Sequence, residues 1–231
     1  MGGEGEKPKV SIKEVALSMW HMLCTRRFLI IAPQLFWTGI SIAFFSGNLM
    51  EVIQATVDGP LEQKFEHANY AFILFGLGEI LGCFFIGYIV DKFGSRPATY
   101  ANIVIMAAMA GVTTLYCIVY KYGFLAFLMC FLWGFQDSAI NTHSQEILGF
   151  EFNNNSEPFS VYNILQCLAC SLFQILQIWI DTQTEYIVYS IFVGALGILF
   201  AANTLRFQFR EHERIDLITM KESDSDEVAL D

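Results

Sequence analysis

Six apolar runs, each close to the length that crosses a lipid bilayer, constrain this chain more than any other feature. Read from hydropathy, they cover 28–50, 70–90, 98–119, 124–145, 159–180 and 186–205. A hydrocarbon core is about 30 Å thick and takes roughly 20 helical residues to cross. Lipid offers no water to backbone N–H and C=O groups, so runs of this length are expected to be helices that satisfy those groups internally. Composition agrees, since 55% of the residues are hydrophobic and only 16% are charged, outside the range of ordinary soluble domains. The expected fold is an all-α membrane protein with six transmembrane helices. Its expected divisions are a segment over 1–27, a membrane bundle over 28–206 and an acidic tail over 207–231.

The net charge of −10 would suit an acidic soluble protein, but its distribution does not. The acids gather in the first connector (Glu51, Asp58, Glu62, Glu66) and in the tail (Glu222, Asp224, Asp226, Glu227, Asp231). Orientation follows lysine and arginine rather than net charge. With both termini cytoplasmic, the inner side carries Lys7, Lys9, Lys13, Arg26, Arg27, Lys92, Arg96, Arg206, Arg210, Arg214 and Lys221, and the outer side only Lys64 and Lys121. An integral membrane protein with both termini in the cytoplasm is therefore expected; charge does not say which membrane holds it. Asn154-Asn155-Ser156 fits a glycosylation acceptor, yet this topology places it inside and predicts that it is unmodified. Residues 1–27 lack the apolar core of a signal peptide. Gly2 meets only part of the myristoylation pattern, because Glu6 stands where Ser or Thr is required.

Residues 10–25 are expected to form a surface helix at the inner boundary, with Ile12, Val15, Ala16, Met19, Met22 and Leu23 at helical spacing. The connectors 91–97 and 120–123 are tight, 51–69 is longer and outer, and 146–157 is inner and polar. Residues 222–231 are too acidic and polar to form a core and are expected to be disordered. Ser223 and Ser225 there are candidate phosphorylation sites, set against a purely solubilising tail.

Polarity within the apolar runs is unevenly placed. The third and sixth runs are nearly free of it. Glu79 sits near the middle of the second, where an ionised carboxylate costs about 2.5–3.5 kcal/mol on insertion scales. It must be protonated, paired or turned towards a wet cavity. Gly78 and Gly82 flank it and permit close helix approach. Asp137, Asn141 and Ser144 of the fourth run fall within an arc of about 60° on a helix. In the fifth run Asn163, Gln166, Cys170, Gln174 and Gln177 advance by steps of three and four and share one face. The first run adds Gln34, Thr38, Ser41 and Asn48 with less order. Such stripes serve either as interhelical hydrogen bonding or as the wall of a solvated path. Cys167 and Cys170 read as small packing residues, and His143 as interfacial.

Between the second and third runs stands Gly87-Tyr88-Ile89-Val90-Asp91-Lys92-Phe93-Gly94-Ser95-Arg96. Its G-x-x-x-D-K-x-G-x-R spacing resembles the loop signature of the major facilitator transporters. Six spans with this signature after the second resemble the C-terminal half of that fold, a six-helix bundle of 3+3 inverted repeats. The resemblance implies that the first, second, fourth and fifth spans line a cavity. Gly87, Asp91, Lys92, Gly94 and Arg96 would then form an inner latch that yields when two halves rock. Glu79, Asp137, Asn141, Gln166, Gln174 and Gln177 become the candidate cavity or coupling residues.

A narrower series, Phe44-Phe45-Ser46-Gly47, Gly78-Glu79-Ile80-Leu81-Gly82, Phe93 to Pro97, Gly134 to Ser138 with Asn141-Thr142, and Ile147 to Phe150, resembles the Unc-93-like branch. That branch contains potassium-channel regulators, receptor-trafficking adaptors and orphan transporters. Its members carry twelve spans, so six imply a half: a short product, an alternative isoform or a truncated gene model. The resemblance implies a regulator or adaptor of an ion channel or other membrane protein, or alternatively a secondary transporter or half of one. A lone half would show polar groups to lipid. Pairing is therefore expected with itself, with a separate N-terminal half or with another membrane protein. No nucleophile–base pair, phosphate loop or metal-ligand spacing is present. An enzyme, a cofactor, a metal site and a nucleic-acid partner are therefore not expected.

Overall fold

A computed structural model of the chain describes residues 12–152 and 156–210. Regular structure among them is entirely helical: α1 (Ile12–Leu23), α2 (Arg26–Ala43), a π-helical stretch (Phe44–Leu49), α3 (Met50–Ala55), α4 (Leu61–Phe93), α5 (Ser95–Val119), α6 (Phe124–Glu151), α7 (Ser156–Gln177) and α8 (Gln183–Thr204). Six of these segments are long and apolar enough to span a membrane, α2 through α3 counting as one from Arg26 to Ala55. The acceptor at Asn154 and the tail with Ser223 and Ser225 lie outside the described residues.

The helices run past the apolar segments that predicted them. The connector expected over 51–69 shrinks to the turn between Ala55 and Leu61. Pro60 starts α4, and its polar first turns hold together through pairs such as Tyr70 donating to Glu66 at 2.7 Å. At 33 residues, α4 is about 50 Å long, well beyond the hydrocarbon core. Likewise α6 continues to Glu151, whose carboxylate pairs with Arg27 at the start of α2. The connector 91–97 reduces to Gly94, at φ 89°, a left-handed conformation that glycine adopts without a Cβ penalty. Pro97 falls in the first turn of α5, where a missing N–H costs nothing.

Packing between spans follows a pattern. The main pairs are α4 with α6, α2 with α7, and α5 with α8; α5 also packs on α6, and α2 on α8. Exchanging the first three spans with the last three maps this set onto itself. Because each triplet has an odd number of spans, the two run in opposite senses through the layer, the geometry of an inverted repeat. The central core stacks Phe44 between Trp133 (4.4 Å) and Tyr189 (5.3 Å). A second cluster, Phe28, Ile31, Ile147, Leu148 and Phe207, closes one end. Apolar side chains such as Ile73, Phe84, Val104 and Leu199 point outward, as a lipid-facing rim requires. The short α1 sets Met19, Met22 and Leu23 against that second cluster and leaves Leu17 and Trp20 exposed.

Candidate functional site

Two glycine-lined crossings position the polar groups. On α4, a Cβ at Gly78 would stand 2.2 Å from Phe131 O, and one at Gly82 2.3 Å from Phe135 O; on α6, one at Gly134 would stand 2.0 Å from Phe75 O. The two backbones are thus in direct contact, closer than any side chain allows. Glu79 follows Gly78, and Asp137 lies three residues beyond Gly134. The crossing sets Glu79 and Asp137 on facing stretches of the two helices, with Glu79 N 3.1 Å from where a Cβ at Gly134 would stand. Glu79 stays half-buried, while Asp137 is buried. In the repeat-related pair, a Cβ at Gly39 of α2 would meet Gln166 O of α7 at 2.1 Å.

From Asp137 a hydrogen-bonded network runs across α6, α7 and α2. Asn141 Nδ2 donates to Asp137 O at 2.8 Å and to Asp137 Oδ2 at 3.1 Å. Tyr162 OH donates to Asn141 Oδ1 at 2.6 Å. Gln166 Nε2 donates to Tyr162 OH at 3.0 Å and to Thr38 Oγ1 at 3.1 Å, and lies 3.4 Å from Asn141 Oδ1. An amide nitrogen carries two hydrogens, so the two shorter contacts use them and the third is marginal. Nearby, Gln34 Nε2 donates to Ser144 Oγ at 3.0 Å. Asp137, Asn141 and Gln166 therefore form one unit with Glu79 beside it.

Gln174 and Gln177 do not join them. They serve the π-helical stretch, where the widened turn leaves backbone groups to be satisfied elsewhere. Gln177 Oε1 accepts from Asn48 N at 3.2 Å, and its Nε2 donates to Tyr189 OH at 3.3 Å. Gln174 Nε2 reaches Ser46 Oγ at 3.4 Å. The stripe on the fifth span thus splits between two sites. A Cβ at Gly47 would meet only the end of the Gln177 side chain, at 2.1 Å. Gly47→Ala is therefore expected to displace Gln177 and release the Asn48 amide at a cost of about 1 kcal/mol. Hydrogen exchange at Asn48 checks this: the amide should exchange faster in the variant, with distant helices unchanged.

The signature loop sits at the far end of α4, separate from the network. Asp91 and Lys92 are exposed, and Lys92 Nζ donates to Tyr88 OH at 3.0 Å. Arg96, also exposed, lies just inside α5. Gly87 has open space where its Cβ would be, so no close helix approach requires a glycine there. Ser95 Oγ donates to Glu146 at 2.7 Å, tying the loop to α6. His143 is fully buried within the bundle, with Nδ1 3.1 Å from Asn102 Nδ2.

Tyr162 and Glu146 were not singled out by sequence reasoning. Tyrosine passes as apolar in a hydropathy reading, yet the i, i+4 step from Tyr162 to Gln166 was a usable signal. Glu146 fell one residue past the expected end of its span. Several buried polar atoms keep no protein partner among the described residues, including Asp137 Oδ1, both side-chain polar atoms of Asn48, and Gln136 Nε2. Buried polar atoms are normally paired; Asp137 Oδ1 and Gln136 Nε2 belong to the α6 site, and the Asn48 atoms to the π-helical stretch.

The sequence model of the Major Facilitator Superfamily matches residues 2–174. This chain belongs to that superfamily. It is a multi-pass membrane protein of a transporter-like family, and its repeat-related packing is that of a major facilitator bundle. No solved structure matches it.

Proposed function

We propose that this chain is one wall of a paired, transporter-type assembly. Glu79 and Asp137 would hold a proton or cation, and the Asn141–Tyr162–Gln166 network would orient a polar solute. The observation that carries the reading is the glycine crossing that sets Glu79 and Asp137 on facing stretches of two spans, with Asp137 Oδ1 and Gln136 Nε2 buried without a partner. A carboxyl within a span is costly to ionise without a partner and marks an ion or substrate path. Pairing follows from α4 and α7. They are the least buried spans, at 28% and 22% of their apolar windows, and α7 exposes Asn163 and Gln174. Polar groups facing lipid are costly, so a second bundle would cover them: another copy, an N-terminal half or a different membrane protein. Both termini would lie in the cytoplasm, since Arg26, Arg27, Lys92, Arg96, Arg206 and Arg210 fall at one end of the bundle and Lys64 and Lys121 at the other.

A second reading, regulator or adaptor of an ion channel or other membrane protein, is supported by the ordered Unc-93-like motifs. One experiment separates the two. The full chain is reconstituted in vesicles, and proton movement driven by each member of a solute panel is read with an interior pH dye. Pairing is read in parallel by crosslinking in membranes. Glu79→Gln is expected to abolish solute-driven proton movement and to leave crosslinked partners intact. Partners without any flux would favour the regulator; a variant unchanged in both would make Glu79 structural. A stable, strictly monomeric protein in bilayers would overturn the pairing.

A further inference from the structure

Where α2 begins and α8 has ended, Arg26, Arg27, Arg206 and Arg210 line one cavity of about 640 Å³, together with Ile30 and Phe207. Glu151 offsets one of these charges: it pairs with Arg27 and accepts from the Arg210 backbone N–H at 2.9 Å. Arg27 is fixed in place, its guanidinium 4.9 Å from the Phe207 ring centroid and donating to Gln208 O at 3.2 Å. Its Nε is buried without a partner. Arg26 and Arg206 are exposed and have no ion-pair partner among the described residues. Arg26 also opens α2, whose first turn is capped by the Thr25 side chain, so the positive end of that helix lies beside the same wall.

Orientation by positive charge needs cations near the span ends, but it does not need four guanidiniums around one hollow. Arg26 and Arg206, exposed on the one hollow, repel each other, and the repulsion is relieved by an anion held between them. The volume lies within the range of clefts that take ligands of some size, and a single phosphate would underfill it. The place is the membrane boundary: Ile30 continues into the span, and α1 alongside exposes Leu17 and Trp20, residues suited to the interface.

We propose that this cavity binds a lipid headgroup bearing more than one phosphate, with the guanidiniums on the phosphates and Ile30 towards the acyl chains. Bidentate pairing makes arginine the fitting residue for phosphate. The inference is independent of the transport reading.

The test uses the full chain in nanodiscs, titrated with fluorescent short-chain phosphatidylinositol 4,5-bisphosphate. Both leaflets are open to ligand, so the result does not depend on which face is cytoplasmic. Binding is expected to exceed that of phosphatidylserine at equal added charge. Arg26→Gln with Arg206→Gln is expected to weaken it about 30-fold, taking the usual contribution of each surface arginine. Lys64→Gln with Lys121→Gln, at the other end, should leave it unchanged. Both altered arginines are exposed, and an unchanged melting temperature confirms the fold. Equal binding of phosphatidylserine, or an unaffected arginine variant, overturns the site. Soluble inositol trisphosphate binding as tightly as the lipid overturns the lipid as occupant. Stronger competition from a peptide of residues 218–231 phosphorylated on Ser223 and Ser225 does the same and assigns the cavity to the tail.

Discussion

Gly134→Ala is expected to destabilise the protein by about 1–3 kcal/mol, the cost of overpacking a well-fitted site, with the upper end favoured. The added methyl would lie 2.0 Å from Phe75 O and 3.1 Å from Glu79 N. Both are backbone atoms in the middle of a long helix and cannot swing aside. The only relief is to push α4 and α6 apart, which also loosens the contacts at Gly78 and Gly82 and moves Glu79 away from Asp137. Gly76→Ala, on the same α4, adds the same methyl into open space. It should be neutral or slightly stabilising, because alanine favours the helix over glycine. The difference in unfolding midpoint between the two variants, measured in mild detergent, isolates the crossing from helix propensity. Equal midpoints would mean that the two backbones are not in contact.

Much of this architecture was legible before any coordinates. Hydropathy found all six spans, because an apolar run of bilayer length has few other folded outcomes. It misjudged their ends for an equally physical reason. Hydropathy reports where lipid is, whereas a helix persists as long as its backbone hydrogen bonds do. The first turns of α4 contain Glu62, Lys64 and Glu66 and were read as connector, yet they are helical. The reverse happened after Gln177, where Ile178, Trp179 and Ile180 are apolar but lie outside the helix, the first two in a turn.

The site was half legible. Periodicity placed Asp137 and Asn141 on one face, and both lie in the network with Gln166. The same periodicity grouped Gln174 and Gln177 with them, and here it misled. A face shared along one helix can address different neighbours at different depths. The π-helical stretch that captures Gln177 depends on tertiary contact with α7 and leaves little trace in the run Phe44–Leu49. Gly134 carried a motif resemblance but no role, because a close crossing is a property of two helices and neither one shows it alone.

Asn141→Leu tests whether the network is one unit. Leucine is similar in size and silences four contacts at once: those to Asp137 O and Oδ2, and those from Tyr162 OH and Gln166 Nε2. Hydrogen bonds between membrane helices average about 0.6 kcal/mol, since the unfolded helices also find partners in the bilayer. Groups orphaned in a packed interior cost about 1–3 kcal/mol. The second value applies more closely here, because Asp137 Oδ1 already lacks a partner and Oδ2 would lose the one it has in Asn141. A loss of about 2 kcal/mol is therefore expected. Asp137→Asn in the same background removes the acid that has been stranded, and should recover part of that loss. On its own it should instead destabilise, because it disturbs the hydrogen bond from Asn141 Nδ2 to Asp137 Oδ2. Tyr162→Phe supplies the other arm: combined with Asn141→Leu it should cost less than the sum of the singles, by at least about 0.5 kcal/mol, as residues sharing one network do. Strict additivity across both pairs would mean that these groups pack side by side without acting together. The case for a shared proton or solute site would then rest on Glu79 alone.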